Sequence, residues 1–257
     1  MHTASIAVLA FAAAAAAQPA LNPPPGAVDE SGRFGVGTEI SAQTTPGDAN
    51  SVFKITEPGL YYLSESVVVS QAPLRVAIEI AADGVVIDLN GFRLESNPPS
   101  TAGIGPDSID VSDVVVRNGT ISGFARGVYG LGVGNTANRM FNTLVHDLII
   151  EVADDPTGFT PVGIFTRDGW VIRGCIVRGS DAAARGILAD DSIVSGCRIE
   201  VPAIGIDSDN SLVESCYVIT TGGFTYNIGG QSLIRGCLGA GGSASMSNGV
   251  TSIDNKF

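Results

Sequence analysis

The sequence predicts an all-β solenoid, a chain wound into stacked coils whose strands pair in parallel with their equivalents one turn away. Three observations lead there. Residues 169–177 read Gly-Trp-Val-Ile-Arg-Gly-Cys-Ile-Val, and the pattern returns at 192–199 (Ser-Ile-Val-Ser-Gly-Cys-Arg-Ile), 211–218 (Ser-Leu-Val-Glu-Ser-Cys-Tyr-Val) and 232–238 (Ser-Leu-Ile-Arg-Gly-Cys-Leu). Cys175, Cys197, Cys216 and Cys237 follow one another at 22, 19 and 21 residues, each four residues after an aliphatic anchor (Val171, Ile193, Leu212, Leu233). Self-similarity at such a period signals stacked repeats, and nothing after residue 20 carries a capped helical period.

The chain opens with the apolar run Ile6–Ala17, followed by small residues in Ala-Ala-Gln-Pro-Ala (16–20). Twelve residues are too few to span a bilayer. Residues 1–20 are therefore expected to be a secretory signal peptide, although no Lys or Arg precedes the run. Residues 21–50 are rich in Pro, Gly, Ser and Thr, as in Asn22-Pro-Pro-Pro-Gly26, and read as an irregular arm.

The β-domain is expected over 51–257. Phe53–Leu63 reads as two strands around Pro58-Gly59, and Val67–Val69 as a third. Anchors at Val86, Val115 and Leu144 extend the repeat upstream with steps of 29, 29 and 27 residues. A second signature follows each anchor: Gly103-Ile104, Gly127-Val128, Gly163-Ile164, Gly186-Ile187, Gly205-Ile206 and Gly249-Val250. In the Leu212 coil it degrades to Asn227-Ile228-Gly229. Two aliphatic segments per unit are thus expected, each pairing with its copy in the next coil while the rest of the coil supplies the crossover that parallel strands need.

The anchors are doublets, such as Val171-Ile172 and Leu212-Val213, so one member of each pair faces outward and the outward members form an apolar strip. Either the arm or other subunits would cover it, which makes a homo-oligomer one expectation. The cysteines fall in one column, about 4.8 Å apart, and are read as buried thiols in preference to disulfides. With 14 basic against 26 acidic side chains, nucleic acid is not an expected partner. A polyanionic ligand would need a bridging cation.

Several stretches carry a resemblance. Residues 83–92 (Asp-Gly-Val-Val-Ile-Asp-Leu-Asn-Gly-Phe), 116–121 (Val-Arg-Asn-Gly-Thr-Ile) and the Ile-Arg-Gly-Cys-Ile repeats are similar to rung motifs of the pectate-lyase-like superfamily. Residues 55–63 resemble the opening of many secreted bacterial β-helix repeat proteins. The resemblance implies a single-stranded right-handed parallel β-helix of about seven to eight coils over residues 50–250. It does not fix an activity, since the superfamily includes lyases, hydrolases, epimerases and adhesins.

Asp168, Asp190 and Asp209 stand three residues before their anchors, as Asp83 does before Val86. Asp there closes a turn, with the next residue at positive φ. Read as a site, the same positions give a carboxylate column, with Asp168, Asp190, Asp191 and Asp209 as oxygen ligands for Ca²⁺. Resemblance to the superfamily's lyases implies Ca²⁺ on carboxylates and an Arg or Lys base, which makes Asp190, Asp209 and Arg173 the catalytic candidates. Of the superfamily's hydrolase motifs only Asp190-Asp191 is matched; Gly-His and Arg-x-Lys are absent. Asp154, Asp155 and Phe159, in a polar insertion, are substrate-binding candidates, because loops on a rigid scaffold carry such sites. The expectation is a secreted, non-catalytic extracellular carbohydrate-binding or surface-structural module, with extracellular polysaccharide as an expected partner. The alternative is a polysaccharide lyase or related carbohydrate-active enzyme acting on acidic glycans.

Overall fold

A computed structural model describes residues 37–257 apart from 71–74, 107–108, 133–134, 155–157, 159 and 248. The expected signal peptide, and the arm as far as residue 36, lie outside the described residues. The described chain is a parallel β-helix solenoid, and the repeat read from the sequence is its register. Leu60 pairs with Val86, and the column continues through Val115, Leu144, Val171, Ile193, Leu212 and Leu233 to Thr251.

From Val171 onward each coil holds three strands instead of the two aliphatic segments expected, while upstream Val115–Tyr129 runs through all three faces and Leu144–Val152 through two. In the Val171 coil the three strands are Val171–Arg173, Ile176–Gly179 and Arg185–Ala189. The first two look like one segment in sequence. A left-handed residue three positions after the anchor splits them: Gly174, Gly196, Ser215 and Gly236 all have φ between 54 and 62°.

The faces of the core follow from strand alternation. On the anchor face the residue after each anchor points inward: Ile87, Val116, Val145, Ile172, Val194, Val213 and Ile234 are all 0% exposed. Ile121, Ile150, Val177, Ile199 and Val218 do the same on the second face, and Ile104, Val128, Ile164, Ile187 and Ile206 on the third. Each such side chain removed from water is worth about 1.5–3 kcal/mol, and the three columns make one continuous core.

The glycine before each third-face aliphatic is required by lack of space. A Cβ on Gly186 would strike the Gly205 carbonyl oxygen of the next coil and the Ile199 side chain across the corner. The second signature is corrected in two places. Tyr226, not Ile228, continues the Ile206 column, and Ala244 follows it, whereas Val250 lies just before the strand Thr251–Ile253. The longer phenol reaches across the core, its hydroxyl 3.0 and 2.8 Å from the Cys216 and Leu238 carbonyl oxygens.

Residues 37–50, expected as arm, pack on the first coil. Thr38–Glu39 pairs in parallel with Gly59–Tyr62, and Ile40 enters the core at 4% exposure. Asp48 fixes this segment, accepting from the Asn50 and Ser51 amides and pairing with Lys54 at 2.9 Å. A small second sheet of Val111–Ser112, Leu131–Gly132 and Asn135–Phe141 leaves the coil as an insertion. Among the described residues no helix is long and apolar enough to cross a membrane.

Candidate functional site: the acidic turns before the anchor face

Each coil turns from the third face into the anchor face, and before the anchors Val86, Val115, Leu144, Val171, Ile193 and Leu212 the backbone does so through a left-handed residue two positions ahead, whereas before Leu233 it is Gly230, three positions ahead. Gly84, Asp113, Asn142, Gly169, Asp191 and Asn210 hold this place, with φ between 43 and 68°. Gly, Asn and Asp tolerate that conformation best, so the shared element seen in sequence is a turn code.

The serine preceding the anchor closes the same turn. The Trp170 N–H donates to Ser192 Oγ at 3.1 Å, the Ser192 N–H to Ser211 Oγ at 3.1 Å and the Ser211 N–H to Ser232 Oγ at 3.0 Å. Each hydroxyl in turn donates to a carbonyl of its own turn, as Ser192 does to Asp190 at 2.7 Å. The repeated Ser was visible in the sequence, but its role required the coils to be stacked.

The candidate carboxylates lie around this ladder without converging. Asp190 Oδ1 accepts the Asp209 N–H of the next coil at 3.1 Å, as Asp83 Oδ1 accepts the Ser112 N–H at 2.6 Å. Asp190 and Asp209 are thus stacked, with Asp207 on the strand leading to Asp209. Asp168 departs from the predicted column. Thr166 pairs with Ala189 and Val171 with Ile193, so the Val171 turn contains one residue more than the next. Counted from the third face, Arg167 and not Asp168 precedes Asp190, and Arg167 Nε lies 3.9 Å from Asp190 Oδ2. Asp168 is drawn instead to Arg139 of the insertion at 3.0 Å. Asp191 is exposed at the left-handed position.

Burial pushes the Asp190 carboxyl above the ordinary aspartate range, and the charges of Asp209 and Asp207 add to that, against the pull of the Asp209 amide and Arg167. Among the described residues no three His, Cys, Asp or Glu side chains gather to hold a metal ion. Ca²⁺ takes six to eight oxygens. With Asp168 turned to an arginine and one Asp190 oxygen taken by a backbone amide, the predicted donors Asp168, Asp190, Asp191 and Asp209 do not fit such a centre.

Arg173 lies on the other side of the anchor, exposed, and shares no ion pair with these carboxylates among the described residues. Its column runs Asp88, Arg117, His146, Arg173, Ser195, Glu214 and Arg235 along the anchor face. Two coil-to-coil pairs occupy it, Arg117–Asp88 at 2.9 Å and Arg235–Glu214 at 2.5 Å. His146 Nδ1 contacts Asp147 at 2.7 Å.

Asp154 is exposed at the start of the polar insertion, while Asp155 and Phe159 lie outside the described residues. No protein-family model, curated protein or solved structure matches the chain.

The cysteine column is free and buried. Each thiol donates to the carbonyl two residues before it, at 3.3–3.4 Å, satisfying the left-handed turn between the first two strands. Hydrogen bonding with the Cys197 thiol, then burial, pushes Cys216 up to about 12. Thiolate chemistry is thereby suppressed. A 400 Å³ cavity lies at the first coil, lined by Glu39, Ile40, Phe53, Ser64 and Val68 among others, in a different coil from the acidic turns.

Proposed function

We propose that the chain is a secreted, non-catalytic β-helix module of the pectate-lyase-like kind, which serves outside the cell as a carbohydrate-binding or surface-structural element. The observation that carries this reading is the occupation of the acidic turns. Asp190 is committed to a backbone amide and Asp168 to Arg139, and Arg173 stands apart on another face. Groups spent on turn closure are poor candidates for moving protons, whereas rigid columns of outward side chains suit a binding or assembly surface. The likeness of the rung motifs to that superfamily and the apolar leader support an extracellular role.

A second reading, a polysaccharide lyase, draws on Asp190 itself. A carboxyl with raised pKa beside Asp209, Asp207 and Arg167 has the character of an acid–base group. Incubation with polyuronates, with and without added calcium, separates the two readings through the absorbance of unsaturated sugar ends. The module reading expects no turnover and saturable glycan binding; turnover abolished by Asp190→Ala would replace it with the lyase. Absence of both binding and turnover across acidic and neutral glycans would remove carbohydrate from the proposal.

A further inference from the structure

The outward anchors from Leu60 to Leu233 form one aliphatic file that ends on Thr251, and Ile193 within it is 40% exposed. The file rises by about 4.8 Å per coil, roughly 38 Å in all. Across it, from the left-handed residue before each anchor to the one after, the face is six residues wide, about 20 Å at about 3.3 Å each. Such an area is close to the about 800 Å² that each partner gives to a standard interface.

The borders of this face select its occupant. The chain carries a net charge of −12, so a second copy can settle only where uncharged residues or opposite signs meet. A twofold axis along the strands reverses the order of the coils and sets each file against its own copy, aliphatic on aliphatic. An axis along the solenoid would instead set the anchors against the charged file that runs from Asp88 to Arg235.

Full overlap of Leu60 to Thr251 places the axis at Val171. Arg117 of one copy then faces Glu214 of the other and Asp88 faces Arg235, so each ion pair within a copy meets the reversed pair of its partner. Face-to-face sheets lie about 10 Å apart, a gap that Arg and Glu side chains together can bridge. On the opposite border the left-handed residues fall into step as well: Asp113 faces Asn210 and Asn142 faces Asp191, all four exposed. Within the charged file Arg173 alone meets its own sign, on the axis. Sliding one copy by a single coil removes the match. One direction sets Asp88 against Glu214 and Asp113 against Asp191, and the other sets Arg117 against Arg235; like charges set opposite one another disfavour both registers.

We propose that the anchor face docks on the anchor face of a second copy, with the solenoids antiparallel, the twofold axis at Val171 and Arg117 paired with Glu214 across the contact. Sedimentation of the full chain should give a dimer. A short bismaleimide should join Val171→Cys to itself. Val115→Cys and Leu212→Cys should be joined only when the two variants are mixed, because they face each other while each lies four coils from its own copy. The native thiols are buried and should not react. Ile193→Lys should give a monomer with unchanged far-UV circular dichroism, whereas Phe224→Lys, exposed on the third face, should leave the dimer intact. A monomeric wild-type chain overturns the proposal, and if deletion of residues 21–36 then makes Val171→Cys reactive, the arm is the occupant instead. A dimer that survives Ile193→Lys, that Phe224→Lys abolishes, or whose crosslinks do not join position 115 to 212 also overturns it.

Discussion

Ser211 shows how much of this fold rests on single polar atoms. Its hydroxyl accepts the Ser192 N–H and lies 2.8 and 3.0 Å from the Asp209 and Ala189 carbonyl oxygens, at 4% residue exposure. Removing it strands a buried amide, so Ser211→Ala should lower unfolding stability by about 1–3 kcal/mol in urea titration. Asp190 has the opposite sign. Its folded pKa is raised, so the ionised carboxylate opposes folding at neutral pH, and this opposition fades as pH falls through the folded value toward the ordinary one. Asp190→Asn keeps an acceptor for the Asp209 amide and should raise Tm at neutral pH. The advantage should shrink on acidification; a constant or growing difference across the titration would contradict it. The turn character of Asp190 was legible in the sequence. The Asp209 amide bound to it was not, because that partner sits one coil away.

At the scale of the coil, turn length decides which residues share a column. The extra residue between Thr166 and Val171 puts Arg167 beside Asp190 and sends Asp168 to Arg139, although spacing to the anchors alone aligns all three aspartates. Sequence spacing counts from one strand, whereas a turn is fixed by both strands it joins. The same coil carries Trp170 where its successors carry serine. The indole is 0% exposed and donates from Nε1 to the Met140 carbonyl at 2.7 Å, tying the insertion to the core. Trp170→Ala should cost about 3–5 kcal/mol. Its first symptom should be faster amide exchange in Asn135–Phe141. Equal exchange in mutant and wild type would show that the insertion holds without the indole.

Across the whole molecule, pairing between neighbouring coils makes stability close to a sum over coils and their interfaces. Deleting residues 193–211 removes one complete winding and joins Ser192 to Leu212, so every column continues. That shortened chain should fold cooperatively with lower stability. Deleting only 193–202 should not, because third-face strands would then fall beneath the anchor face. Calorimetry of the two deletions checks this, and equal behaviour would argue against column-by-column stacking. The outward anchors from Leu60 to Leu233 are half-buried except Ile193, which is 40% exposed, so the predicted apolar strip is present on the anchor face.

The sequence by itself determined the winding. Anchors, cysteines and turn residues recur at coil spacing, and an in-register parallel stack is the arrangement that buries every inward aliphatic while pairing its backbone. Tertiary structure alone decided what the polar residues face. A hydrogen bond between coils joins residues about 20 to 30 positions apart, and its partner depends on turn lengths that shift by single residues. The separation of Asp168 from Asp190 and the serine ladder are therefore properties of the stack, not of any one repeat.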